Sequence, residues 1–388
     1  MIPYPPRALP EQLCNIERLV DALTIRNLDG VVVSSPYNMY YLSGFKGIAH
    51  KSDEPRPYAV VFSRHQPDHP ILVVADYYVG TLISQPTWIE DIRAFRAVML
   101  PLDLPPQDRD LERFLPTGID STSWAGNLRA HYANNIAQSC REAMADLGLS
   151  SGRVAFDDLR FGQQLGMETI EVVDGYDPMM YARCVKTDVE IELLKRATTV
   201  NEEAICRSIN AWSRGMMWQD FNHEYHKSVV EMGGFVRDPG AMVWGHPCGG
   251  DPAVTLHSRL DDFVMEPGMN ILFDCHGTLD LYCWDGGKTW VVDGEATGDA
   301  KQYANATADA ATAVMEAMRP GVTISDLQRV GRAVYRTSGV AGADDVLIFF
   351  HGLGLSHMEL EQFGADGVPN YDWRLEANMV VPLHILYP

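Results

Sequence analysis

Apolar residues recur at helical spacing at Leu13, Ile16, Leu19, Val20 and Leu23, then close into the uninterrupted run Gly30-Val31-Val32-Val33. The first pattern predicts an amphipathic helix and the second a strand buried on both faces. Residues 58–62 and 71–75 are two more such runs. The polar, proline-containing stretch 63–70 between them suits a hairpin or a short connection. A long helical pattern follows from about residue 125 to 147. Together these elements predict an α/β domain over residues 1–165.

The pattern changes in the second half. Thr187, followed three places later by Glu190, forms a capping box ahead of Leu193, Leu194, Ala197, Val200, Ala204 and Ile205, so a long helix is expected to run to about Gly215. Further helices are expected over 299–318 and 325–337, and strands over 270–275, 281–284, 289–292, 346–350 and 379–386. Strands mixed with long helices, without regular βαβ alternation, predict an α+β domain over residues 166–388.

Composition narrows the class. A hydrophobic fraction of 46% and a charged fraction of 21% over 388 residues are ordinary for a globular chain that needs no staples. The formal charge, 31 minus 52 or −21, repels phosphate backbones and anionic membranes, which excludes nucleic acid and membrane surfaces as expected partners. No run approaches 18 apolar residues, and the first seven residues lack the apolar core of a signal peptide, so a cytoplasmic protein is expected. Seven scattered cysteines show no CxxC spacing. Cys275 and Cys283 lie near acidic residues, a field that opposes a cysteine nucleophile.

The candidate chemistry sits on or beside the predicted strands. Asp274 ends Ile271-Leu272-Phe273 and Asp285 ends Leu281-Tyr282-Cys283-Trp284, and a turn at His276-Gly277-Thr278 would bring the two carboxylates side by side. Such a pair is costly without a cation, and a divalent ion is the usual relief, although each aspartate also fits as a plain cap at a strand end. His351 and His357 follow the apolar strand at 346–350, separated by glycines that allow a tight turn. His384 is a polar group in the middle of an apolar strand and demands a partner, and His257 precedes the Asp274 strand. His223 and His226 have helical spacing but read as a solvated helix face.

The order His257, Asp274, Asp285, His351, His357, behind a capped helix and an α/β N-terminal domain, resembles the creatinase/prolidase/aminopeptidase P family. The eleven-residue interval between Asp274 and Asp285 is the most specific part of the likeness. The resemblance covers nearly the whole chain. It implies a pita-bread catalytic domain behind a creatinase-type N-terminal domain, Asp274, Asp285 and His351 as metal ligands, and His257 and His357 as the histidines that contact substrate and move protons. The chain departs from the pattern at His384, which stands where the peptidases carry a glutamate ligand. A further glutamate expected downstream has no counterpart before Pro388, consistent with a fragment or an incomplete site. Asp285, His351 and His384 by residue type compose a two-histidine, one-carboxylate site for one Mn, Fe or Zn ion. A site without metal is the open alternative.

The expected activity is hydrolysis of an amide or other C–N bond in a small molecule or dipeptide, in the manner of an Xaa-Pro dipeptidase or aminopeptidase P. Three alternatives stand beside it: a metal-independent creatinase-like or ectoine-hydrolase-like enzyme with His257 as base, a dimethylsulfoniopropionate lyase-like enzyme, and a non-catalytic binding protein. The resemblance also implies a homodimer, in which His50, Lys51 and Arg56 would reach a neighbouring site or simply line an exposed loop.

Overall fold

Strand runs in the first half carry apolar side chains at nearly every position, so they can be satisfied only inside a sheet covered on both faces. The computed structural model describes residues 12–47, 56–85, 87–97, 103, 110–115, 117, 124–236, 242–246, 262–359 and 370–386. The chain forms two units, residues 1–183 and 184–388. In the first, β1 (Gly30–Val33), β2 (Tyr58–Ser63), β3 (Ile71–Ala75), β4 (Asp91–Phe95), β5 (Gly152–Phe156) and β6 (Ile170–Asp174) form one sheet in the order β4-β3-β2-β1-β5-β6. The central pairs β1–β2 and β2–β3 are antiparallel, and the remaining pairs are parallel. Every residue of β1, β2 and β3 is buried, as their sequence requires.

The long helix expected over 125–147 is two helices, Trp124–Ala130 and Ile136–Asp146. Asn135 caps the second by accepting from the Gln138 amide, and Ala133 between them bridges to Phe95, so the chain turns there to join the sheet edge. Helix Tyr176–Arg183 closes the unit against helix Ile16–Ile25.

The second unit begins with helix Asp188–Ala211, whose start shows the capping box: Glu190 N–H donates to Thr187 Oγ1, and Thr187 N–H donates to Glu190. With helix Trp218–Glu231 it covers a sheet centred on β9 (Asn270–Leu279). β9 pairs antiparallel with β7 (Phe235–Val236), β8 (Met242–His246), β10 (Tyr282–Gly286) and β11 (Thr289–Val291). Helices Gly298–Ala317 and Ile324–Ser338 pack over a second pair, β12 (Leu347–Phe350) and β13 (Leu383–Leu386), with Ala310, Val314, Leu327, Tyr335 and Ile348 in a separate core.

The turn expected at His276-Gly277-Thr278 lies later in the chain. β9 continues to Leu279, and the hairpin closes on Asp280 and Leu281, both at positive φ (51° and 69°). A two-residue loop with this handedness matches the twist of its strands. The register it sets is Leu279 with Tyr282, Gly277 with Trp284 and His276 with Asp285. Gly277 is required there, because a Cβ would fall 2.1 Å from Cζ2 of Trp284. The Trp284 ring fills that space and its Nε1–H donates to Tyr225 Oη, which donates to Asn201 Oδ1.

A candidate metal centre

Side chains of a strand alternate between faces, so Asp274 and His276 share one face of β9 while Ile271, Phe273 and Cys275 enter the core behind it. Asp285, directly opposite His276, falls on the same face. Its side chain has no solvent exposure. From the other pair of strands, β12 ends one residue before His351, and His384 on β13 stands opposite Phe349, with the two rings stacked at 4.6 Å. The centre therefore forms where the two halves of the unit meet.

Four imidazoles surround Asp285. Its Oδ2 lies 2.7 Å from His351 Nε2, 3.1 Å from His357 Nε2 and 3.2 Å from His384 Nε2, and its Oδ1 lies 3.0 Å from His276 Nε2. His276 Nε2 is also 3.3 Å from Asp274 Oδ1. The donor atoms of Asp285, His351 and His384 group closely enough to share one ion, and so do those of His276, Asp285 and His357. Thus Asp285, His351, His384 and His357 come together, while Asp274 joins the group through His276. His257, His50 and Lys51 lie outside the described residues. His223 is exposed and His226 half-buried on helix Trp218–Glu231, away from the centre.

The donors point at something the protein atoms do not supply. His351 Nδ1 lies 2.9 Å from the Gly352 carbonyl, which can only accept, so Nδ1 carries the hydrogen. In the neutral ring Nε2 is then a bare lone pair aimed at Asp285 Oδ2, with His384 Nε2 3.1 Å away. Holding one ring nitrogen by a backbone carbonyl is how a metal-binding histidine is oriented. Asp285 Oδ1 and His357 Nε2 are buried with no aligned hydrogen-bond partner among the described residues. Buried polar atoms left unaligned around one carboxylate fit a divalent cation bound by nitrogen and oxygen.

The electrostatics agree. Burial alone would raise the Asp285 carboxyl, but the imidazoles of His276, His351, His357 and His384 hold it far below the usual carboxylate range. Burial opposes charge on His276, yet contacts with Asp274 and Asp285 lift it to about 10, so in the metal-free chain a proton supplies the cation these carboxylates demand. His351 is likewise raised, by Asp285 and the Gly352 carbonyl against burial. Burial first, then the charges of Asp274 and Asp285, push the Cys275 thiol up against the opposing pull of Tyr225, away from a nucleophile, as its surroundings predict.

A buried ion pair shapes the loop that carries His351 and His357. Lys186 Nζ is 2.9 Å from Glu359 Oε2, with both side chains at or below 1% exposure. The loop wraps around Glu359: its amide donates to Gly352 O, Ser356 N–H donates to its Oε1, and a Cβ at Gly354 would fall 2.3 Å from its Oε2. Gly354 O accepts from the Cys283 amide, pinning the loop to β10 two residues before Asp285.

Residues 192–387 match the model of metallopeptidase family M24, and residues 15–165 match the creatinase/prolidase N-terminal domain. The chain belongs to the M24 family, with a creatinase-type α/β domain in front of a pita-bread domain. It is 25% identical over 207 residues to a probable Xaa-Pro aminopeptidase of Coccidioides posadasii, covering 49% of this chain and 43% of that protein. An uncharacterized peptidase of Staphylococcus aureus is 23% identical over 201 residues, covering 52% of this chain and 54% of its own. The chain thus spans about half the length of the curated relatives it matches. In fold it is similar to an Xaa-Pro dipeptidase from Bacillus anthracis, with a TM-score of 0.66 at 18% identity, over 94% of this chain and 87% of that one.

His276 joins the centre although the sequence pattern places it in a turn. Its signal was the spacing of two from Asp274, which places both on one face of a strand.

Proposed function

We propose that the chain is a hydrolase of an amide or other C–N bond in a small molecule or dipeptide, dependent on a divalent ion held by Asp285, His351 and His384. One observation carries this reading: Asp285 Oδ2, His351 Nε2 and His384 Nε2 lie 2.7–3.2 Å from one another, with the His351 ring fixed by the Gly352 carbonyl. Mn, Fe and Zn suit two imidazoles and a carboxylate. Such an ion lowers the pKa of bound water and polarises a carbonyl.

The chain's own residues supply the rest. His357 is the most open of the four histidines, with 37% of its side chain exposed, and it meets Asp285 on the solvent side. That position suits it to give a proton to the leaving nitrogen as the C–N bond breaks and water oxygen becomes part of the new carboxylate. The buried face of Asp285, kept ionised by its imidazoles, holds the donors in register. The names of the relatives, Xaa-Pro peptidases among them, support Xaa-Pro dipeptides as the first substrates to try.

The test is elemental analysis of protein purified without chelator, beside hydrolysis of Xaa-Pro dipeptides, for the unmodified chain and Asp285→Ala. Bound Mn, Fe or Zn that disappears in the variant together with hydrolysis is expected. Absence of metal after reconstitution, or hydrolysis that survives in Asp285→Ala, overturns the reading.

A further inference from the structure

The two histidines grouped with Asp285 are held in different ways. His351 is oriented by a hydrogen bond from Nδ1 to the Gly352 carbonyl at 2.9 Å, and that carbonyl is itself fixed by the Glu359 amide. His384 has no such anchor: its Nε2 faces Asp285 and His351, and no acceptor among the described residues meets its Nδ1. What it has is a flat neighbour. The Phe349 ring, directly opposite on β12, lies parallel to it, with 4° between the planes and 4.6 Å between centroids. The core does not call for an aromatic ring at this position. Ile348 and Phe350 fill the core under the two long helices, while Leu347 and Phe349 alternate with them on the other face, at 49% and 39% exposure.

We propose that Phe349 is a positioning residue, which fixes the plane of the His384 imidazole so that Nε2 is aimed at an ion shared with Asp285 and His351. The proposal rests on the reading of those three residues as a metal site. An imidazole binds a cation through a nitrogen lone pair that lies in the ring plane, so a tilt of the plane is a loss of aim. Turning the His384 ring about its Cβ–Cγ bond would drive an edge into the face of Phe349, and offset parallel rings at this separation attract one another. The cross-strand register holds the two rings together, since Leu383 pairs with Phe350 and Ile385 with Ile348 on either side. A cross-strand aromatic thus does for His384 what a backbone carbonyl does for His351. The role demands a flat side chain. An aliphatic one of similar bulk would cover the imidazole without fixing its plane.

The probe is Mn(II) titrated into chelator-stripped full-length protein, with free Mn(II) read by electron paramagnetic resonance and stability read separately by denaturant unfolding. Phe349→Ala is expected to weaken Mn(II) binding about tenfold, as loss of a partner that orients a ligand does, with little change in unfolding. Phe349→Leu keeps apolar bulk and should weaken binding as much, so it carries the test if Phe349→Ala does not fold. Phe349→Tyr keeps the flat ring and should bind as the unmodified chain does, and so should Leu347→Ala, on the same face two residues away. Unchanged affinity in Phe349→Leu overturns the positioning role, and so does a loss in Phe349→Tyr or Leu347→Ala as large as that in Phe349→Leu. Each of these results leaves the proposed function standing. No Mn(II) bound by the unmodified chain overturns both.

Discussion

The two units differ in what surrounds their buried charges. In the first, Arg93 lies between Asp91 Oδ2 at 2.9 Å and Asp146 Oδ2 at 2.7 Å, Asp157 accepts from the amides of Ser34 and Ser35 and from Asn38, and the buried Asp76 accepts from Tyr132 on Oδ2 while its Oδ1 has no aligned partner among the described residues. In the second, Asp285 gathers four imidazoles and still leaves an oxygen unaligned. A buried charge paired with one opposite charge fixes a fold, whereas a carboxylate ringed by imidazoles offers several metal-binding atoms to one space. What sets the second unit apart is the gathering of four imidazoles on one buried carboxylate, the candidate metal centre.

The Lys186–Glu359 pair is the exception that sharpens this contrast, because it is a saturated pair inside the second unit. Replacing Lys186 by Met leaves Glu359 buried without its counter-ion, at a cost of about 4 kcal/mol. The comparison predicts that this variant, followed by denaturant unfolding, destabilises the second unit and lowers Mn(II) affinity, since the loop bearing His351 and His357 loses its anchor. A double variant, Lys186→Met with Glu359→Leu, should recover part of the stability. If Lys186→Met unfolds as the unmodified chain does, the pair is not what holds the loop.

The hairpin gives the next effect. Gly277→Ala places a methyl against the Trp284 ring, which has no open side to move toward, and overpacking of this kind costs about 3 kcal/mol. Gly30, in the first unit, is equally tight: its Cβ would meet Phe62 O at 2.4 Å. Both variants should lower thermal stability. Only Gly277→Ala should also weaken metal binding, because Gly277 neighbours the His276–Asp285 pair in the register. Equal metal affinity in the two variants would remove the distinction drawn between the units.

How much of this was legible in the sequence follows from the range of the forces involved. The strands at 30–33, 58–63 and 71–75 announce themselves because burial on both faces leaves no polar position, and the capping box at Thr187 and Glu190 is a contact three residues long. Asp285 and His351 were visible as polar residues at the ends of apolar runs. The break at Ala133 was carried only by Asn135, a cap residue within an otherwise helical pattern. The role of His276 is not legible because Asp280 and Leu281 lack the Asn-Gly or Asp-Gly signature of a two-residue hairpin loop, whereas His276-Gly277-Thr278, four residues earlier, carries a turn-like glycine. The approach of His384 to His351 depends on strands paired across more than thirty residues, which no local pattern encodes.

The smallest effect concerns Glu190, a buried carboxyl in the second unit that sits between the two behaviours. Burial raises it to about 7, against the pull of Lys186 and the Thr187 amide, and Glu359 nearby adds to the rise. The folded chain therefore keeps a proton that the unfolded chain releases above its ordinary value of 4.5. Stability from this group is complete below that value and is lost as pH rises through about 7, by at most about 1.4 kcal/mol per pH unit. Glu190→Gln fixes the neutral form while keeping an acceptor for Tyr282 Oη, which lies 3.1 Å from Glu190 Oε1. The difference in unfolding free energy between variant and unmodified chain, measured from pH 5 to pH 7, should grow in the variant's favour, and contributions from His276 and His351 cancel in that difference. A difference that stays flat over this window would show that Glu190 is ionised at pH 5 and fully paired. It would then belong with the saturated charges of the first unit.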